Sequence, residues 1–191
     1  MDALEALITR ASAVRLGEPA PSDADVADAF RAAARAPDHG LLRPWEFITI
    51  RGDARHALGE VMAQALAARE PHVPASVLTR ERQKPFRAPL LIVVAAKVQP
   101  DHPKIPEIEQ VMSAAAAAHN LGIVFHAKGF GTMWRTGAMA YDVAVKRALG
   151  LDAHDHIVAI QYVGTPEAHS PDDWRVDPAD FVTDWTGVPP D

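Results

Sequence analysis

The stretch "APLLIVVAAKV" (88–98) constrains this chain more than any other. Its apolar run is unbroken and β-branched at the centre, without the alternation of a half-exposed strand. It reads as a strand buried on both faces, and such a strand requires a layer of helices on each side. "WEFITI" (45–50) and "HIVAIQYVG" (156–164) supply two more strands. Helical spacing covers 2–10, 53–70, 106–128 and 140–149. A further helix runs from Ser22, capped by Ser22 with Asp25 three residues on, to about Arg35, before Pro37. "GTMWR" (131–135) is ambiguous. Seven prolines between Pro71 and Pro106 rule out one regular element there. The expected fold class is α+β, a mixed three-layer α/β arrangement. With 191 residues, no internal repeat and no linker, residues 1–191 form one domain. The polar, proline-bearing stretch 166–191 reads as a C-terminal strap onto its own domain or, as expected here, a partner subunit. The alanine-rich middle of helix 106–128 lets another helix approach closely, placing it deep in the fold or at a dimer seam.

Several chemistries drop out on composition. The chain has no cysteine, which excludes disulfides, iron–sulfur clusters, thiolate metal sites and cysteine nucleophiles. Its net charge of −6 disfavours nucleic acid and anionic membranes as partners. The start "MDALEALITR" lacks a basic, long apolar leader, so a cytoplasmic location is expected. No apolar stretch approaches the roughly 20 residues of a membrane span. Neither the pair His154 and His156 nor His119 and His126 has a metal-site spacing, and no metal is expected. No serine sits in G-x-S-x-G. "GFGTMW" (129–134) begins like a dinucleotide fingerprint, but Trp134 stands where the third glycine belongs, and a helix rather than a strand precedes it.

The remaining signal is a set of arginines at element ends: Arg10, Arg15, Arg35 and Arg135. Each alone reads as a surface charge or helix cap. Together, in an acidic chain, they suggest an anion site, because a guanidinium fork donates two hydrogen bonds to phosphate. "RAPDHGLLRPW" (35–45) stops a helix at Pro37 and turns at Gly40, carrying Arg35, Asp38, His39 and Arg43 with it.

The segments "ITRASAVRL", "RAPDHGLLRPWEFITI", "GFGTMWRTG" and "IVAIQYVGTPE" jointly resemble the flavin-dependent nitroreductase family, closest to a small bacterial subgroup of it, over residues 1 to about 166. The resemblance implies a central, mostly antiparallel sheet flanked by helices, and an intertwined homodimer with FMN between the subunits. It implies cofactor-binding roles for Arg10, Ala11 and Ser12 at the phosphate side. Arg35 and His39 would face the flavin, from either subunit, and Trp134, Arg135 and Thr136 would hold the phosphate side again. Val124, Phe125, His126, Ala127, Lys128 and Gly129 would contact NADH or NADPH. The implied activity is an NAD(P)H oxidoreductase working by ping-pong hydride transfer through FMN to a nitroaromatic, quinone or other electron-poor acceptor, with no protein residue as obligatory acid or base. A flavin-binding or storage module with little turnover is the alternative, and a cofactor-free hydrolase using Asp38 and His39 is a third reading. The chain departs from the family at two places. Ala11 replaces a frequent second arginine and removes a phosphate donor. Arg43 puts a charge where an amide often stands. The chain is also shorter than many relatives, which leaves the flavin face open.

Overall fold

The computed structural model describes residues 1–168, 176–185 and 187. Strand β3 (Leu90–Ala96) lies at the heart of the sheet, and every one of its residues is buried. It pairs antiparallel with β2 (Trp45–Arg51) on one side and with β5 (His156–Pro166) on the other. The outer edge of β5 is shared by β4 (Gly131–Arg135) and the two-residue β1 (Leu16–Gly17), both antiparallel. The expected antiparallel sheet is thus observed, and the ambiguous "GTMWR" is a strand. A parallel bridge between Ser12 and Thr132 draws the N-terminal segment alongside β4.

Helices cover both faces, which is why β3 is apolar throughout. On one face, α2 (Asp23–Ala33) and α5 (Glu107–Ala127) pack Val26, Ala29, Ala33, Leu121 and Phe125 against Ile92, Val94 and Val163. On the other, α3 (Ala54–Arg69) and α6 (Val143–Ala148) pack Leu58, Met62 and Val145 against Leu91, Val93 and Ile160. The capping box predicted at Ser22 and Asp25 is present in full. The small side chains of α5 serve the first of the two expected placements. Ala117 and Ala118 are fully buried within the chain beside α2, and Asn120 Nδ2 donates to Ala32 O at the same seam.

Two features depart from expectation. The proline-rich region holds α4 (Ala75–Gln83), whose N-cap is Pro74 and which gives way to a 3₁₀ turn carrying Pro85. The prolines bracket this helix rather than break it. Close packing of α3 on α4 depends on Gly59, where a Cβ would lie 2.5 Å from Arg82 O. The apolar stripe of α1 (Ala3–Thr9) is not used within the chain: Leu4, Leu7 and Ile8 are exposed, and only Ala6 is buried. The 166–191 strap lies partly outside the described residues, and its described aromatics Phe181 and Trp185 are exposed. Among the described residues no helix is long and apolar enough to cross a membrane.

Asp142 ties the second helical layer together. Its carboxylate caps α6 by accepting from Ala144 N and Val145 N and pairs with Arg69 of α3. Burial alone would raise its pKa, but the Arg69 hydrogen bond and the two backbone N–H groups outweigh it and hold it below 3.8. A depressed carboxylate stabilises the fold above its unfolded pKa, and this contribution is lost as pH falls through the folded value. Asp142→Ala is therefore expected to cost roughly 1–2 kcal/mol in urea unfolding at pH 7. The gap from the parent protein narrows as pH falls through the depressed folded value of Asp142 and closes once the carboxyl is protonated in both states.

Candidate active site

The end of α1 delivers Arg10, its C-cap, to the edge of β4. The chain then runs extended, and the Ser12–Thr132 bridge fixes its register. The result is a cleft of about 180 Å³ lined by Arg10, Ser12, His119, Gly122, Thr132, Trp134 and Gln161. Arg10, Ser12 and Trp134, named from sequence, thus meet although more than a hundred residues separate the first two from the third. Arg10 makes no hydrogen bond or ion pair among the described residues. Its guanidinium is free for an anion.

Trp134 forms the rim of this cleft, and its orientation is fixed by an irregularity in the sheet. The β3–β5 ladder slips between Val94 and Ala95, so Val158 of β5 is passed over in the register. Its carbonyl accepts the Trp134 indole N–H at 3.1 Å. A bulge that removes one ladder partner thus supplies an anchor for a site residue.

Alternation along β4 sends Arg135 elsewhere. It borders a second cleft of about 290 Å³, with Thr136, Gly137, Arg69, Lys84, Arg87 and Tyr162 among its walls. Within one chain Arg10 and Arg135 line different clefts. Arg69 and Lys84 are paired with Asp142 and Glu81, Glu70 also lines the cleft, and Arg87 and Arg135 have no ion pair among the described residues. Burial raises the pKa of the Tyr162 phenol, which stays neutral.

Arg35 and His39 lie outside both clefts. His39 Nδ1 contacts Glu109 Oε2 of α5 at 2.5 Å. The turn that carries it has positive φ at Gly40, Leu41 and Arg43, a conformation costly for the two non-glycine residues. Asp38 holds that turn, its carboxylate accepting from Arg43 N at 2.7 Å. This gives Asp38 a structural role that spacing did not reveal.

The segment 124–129 is mostly engaged in packing. Phe125 is fully buried and meets Phe130 edge-on. Lys128 pairs with Asp25 and Asp28 of α2, and Gly129 ends α5 with φ +87°. His126 Nε2 lies 2.8 Å from Thr9 Oγ1. The Thr9 hydroxyl already donates to Glu5 O, so the ring nitrogen must be the donor. Desolvation, and then the charge of Arg10, lower the His126 pKa and keep the ring neutral. His156 Nε2 contacts Glu107, and His154 lies beside Asp152 and Asp155. Lys97 Nζ occupies that acidic corner, 3.1 Å from Asp155.

Sequence reasoning did not single out Thr132, Gly122 or Gln161. The signal for Gln161 was available, since it is the only amide in the apolar strand "IVAIQYVG".

The nitroreductase family model matches residues 16–165. YdjA of Escherichia coli strain K12, a provisionally named NAD(P)H nitroreductase, is 42% identical over 185 residues, spanning 96% of this chain and 99% of that protein. A similarly named protein of Haemophilus influenzae is 35% identical over 184 residues, with the same coverage of both chains. Among solved structures, a nitroreductase-like protein of Bacillus cereus shares the fold with a TM-score of 0.83 at 19% identity, covering 98% of this chain and 97% of that one. A provisionally named nitroreductase of Desulfovibrio desulfuricans, solved with FMN, gives 0.73 at 23% identity, covering 95% of each. The arginine-bearing clefts on either side of β4 and these full-length matches agree, and the chain belongs to the nitroreductase family.

Proposed function

We propose that the protein is an FMN-dependent NAD(P)H oxidoreductase acting on electron-poor acceptors such as nitroaromatics or quinones. The observation that carries this reading is the convergence of Arg10, Ser12, Thr132 and Trp134 on one polar cleft whose arginine has no partner among the described residues. The residues present fit the cofactor. The arginine suits phosphate, hydroxyls and an amide line the cleft, and the buried Gln161 Oε1 lacks a partner among the described residues.

Arg10, Ser12 and the backbone at Ala11 would hold the phosphate. Trp134, Arg135 and Thr136 would flank the cofactor along the end of β4, with Arg35 and His39 reaching it from a partner subunit. FMN, when bound, would supply the redox chemistry, namely hydride transfer from NADH or NADPH to the acceptor in ping-pong order. The protein's part is to bind, orient and tune, and no side chain need move a proton. The exposed apolar residues Leu4, Leu7 and Ile8 of α1 support a homodimer, since a solitary soluble chain rarely leaves such a stripe uncovered.

The test is direct. The purified protein, or its apo form given FMN, should carry a flavin absorbance that NADPH bleaches and a nitro compound or quinone restores over many turnovers. Light scattering should give twice the chain mass. Failure to take up FMN defeats the reading. Uptake without turnover assigns the protein to flavin storage instead.

A further inference from the structure

Gln161 stands out as a polar side chain in an apolar row. Its neighbours on the same face of β5, Ala159 and Val163, belong to the core beneath α5. Gln161 itself is 2% exposed. Nε2 donates to Ala118 O of α5 at 3.0 Å, and Oε1 has no partner among the described residues. The orientation follows from chemistry: a helix carbonyl only accepts, so the amide nitrogen must face it and the oxygen is left over. Leaving a buried acceptor unmatched costs about 1–3 kcal/mol. An apolar residue would avoid that cost, and Ala118 O would keep its helical partner.

Gln161 lines the same cleft as Arg10. Next to it, α5 carries Gly122 instead of a side chain. A Cβ there would come within 3.6 Å of Thr132 Oγ1 and 3.7 Å of Gln161 Nε2, so the glycine keeps the floor open beside two polar groups. A carbonyl oxygen requires a donor and repels phosphate. In FMN the group bonded to the phosphate is a polyol, rich in hydroxyl donors.

Building on the reading of this site as an FMN site, we infer that Gln161 is a cofactor-binding residue whose Oε1 accepts a hydrogen bond from a ribityl hydroxyl, after a small rotation of the amide toward the cleft. The unmatched oxygen of the free protein is then the counterpart of a bond made in the holoprotein.

The test uses Gln161→Leu and Gln161→Met, which keep the volume and remove the acceptor. Apoprotein melting and flavin binding, followed by fluorescence quenching with FMN and with riboflavin, are measured for each. The apo melting temperature should be unchanged or higher, because a buried unmatched acceptor is gone. Affinity for FMN and for riboflavin should fall by a similar factor, about tenfold, because both carry the polyol. The absorption band of the bound flavin should stay in place, because the ring is untouched. Unchanged FMN affinity in whichever variant folds overturns the inference. So does a loss confined to FMN, a shifted band, or a lowered apo melting temperature with unaltered binding. A parent protein that binds neither flavin overturns the FMN reading as well, which separates the two failures.

Discussion

Arg10→Ala is expected to weaken FMN binding by roughly 10- to 100-fold, the effect of losing charge-assisted hydrogen bonds of about 1.5–3 kcal/mol. The geometry makes this a clean experiment. Arg10 has no ion pair within the described chain, so its removal breaks nothing that holds the fold, and urea unfolding of the apoprotein should be unaltered. Riboflavin, which has no phosphate, should bind the variant and the parent almost equally. A second readout is independent of flavin. The positive charge of Arg10 helps to lower the His126 pKa, so its loss should raise that value while desolvation continues to hold it below 6.5. Proton NMR of the imidazole would report it. Equal loss of FMN and riboflavin would show that Arg10 shapes the cleft rather than binding phosphate.

Phe125→Ala is expected to cost roughly 3–5 kcal/mol of folding free energy, because a fully buried aromatic leaves a cavity that the sheet and α2 cannot fill. Urea unfolding at fixed protein concentration measures it. This substitution also bears on the nicotinamide role that the family resemblance implies for residues 124–129. The Phe125 side chain is out of reach of any ligand, so in protein that remains folded the KM for NADPH should be within about twofold of the parent, an energy difference below roughly 0.5 kcal/mol. A large KM change with little loss of stability would put the ring in the donor site and contradict the packing.

Where packing alone governs, the sequence was an adequate guide. "LLIVVAA" could only be a central strand, and the helices around it followed from apolar spacing and from the Ser22 cap. Helix α4 was hidden because its prolines flank it, Pro74 at its start and Pro85 in the turn after it, and a count cannot distinguish flanks from middle. The site was legible as a set of residue types but not as a geometry. Arg10 and Trp134 could be nominated, but their meeting depends on the register of the Ser12–Thr132 bridge. Arg135 could be nominated too, yet alternation along a strand not recognised as one carries it into a different cleft. Asp38 and Gln161 act through single hydrogen-bonding atoms, which no periodicity reports.

The position of Arg10 at the end of α1 gives the uncovered stripe of that helix a thermodynamic meaning. Leu4, Leu7 and Ile8 precede the arginine on the same short helix, and Thr9 is fastened to α5 through His126. Whatever surface covers the stripe therefore also fixes the guanidinium that faces the cleft. In the proposed homodimer, assembly and anion capture would be linked equilibria, and linkage is reciprocal. Phosphate-bearing cofactor would draw subunits together, and its apparent affinity would rise with protein concentration until the stripe is fully covered.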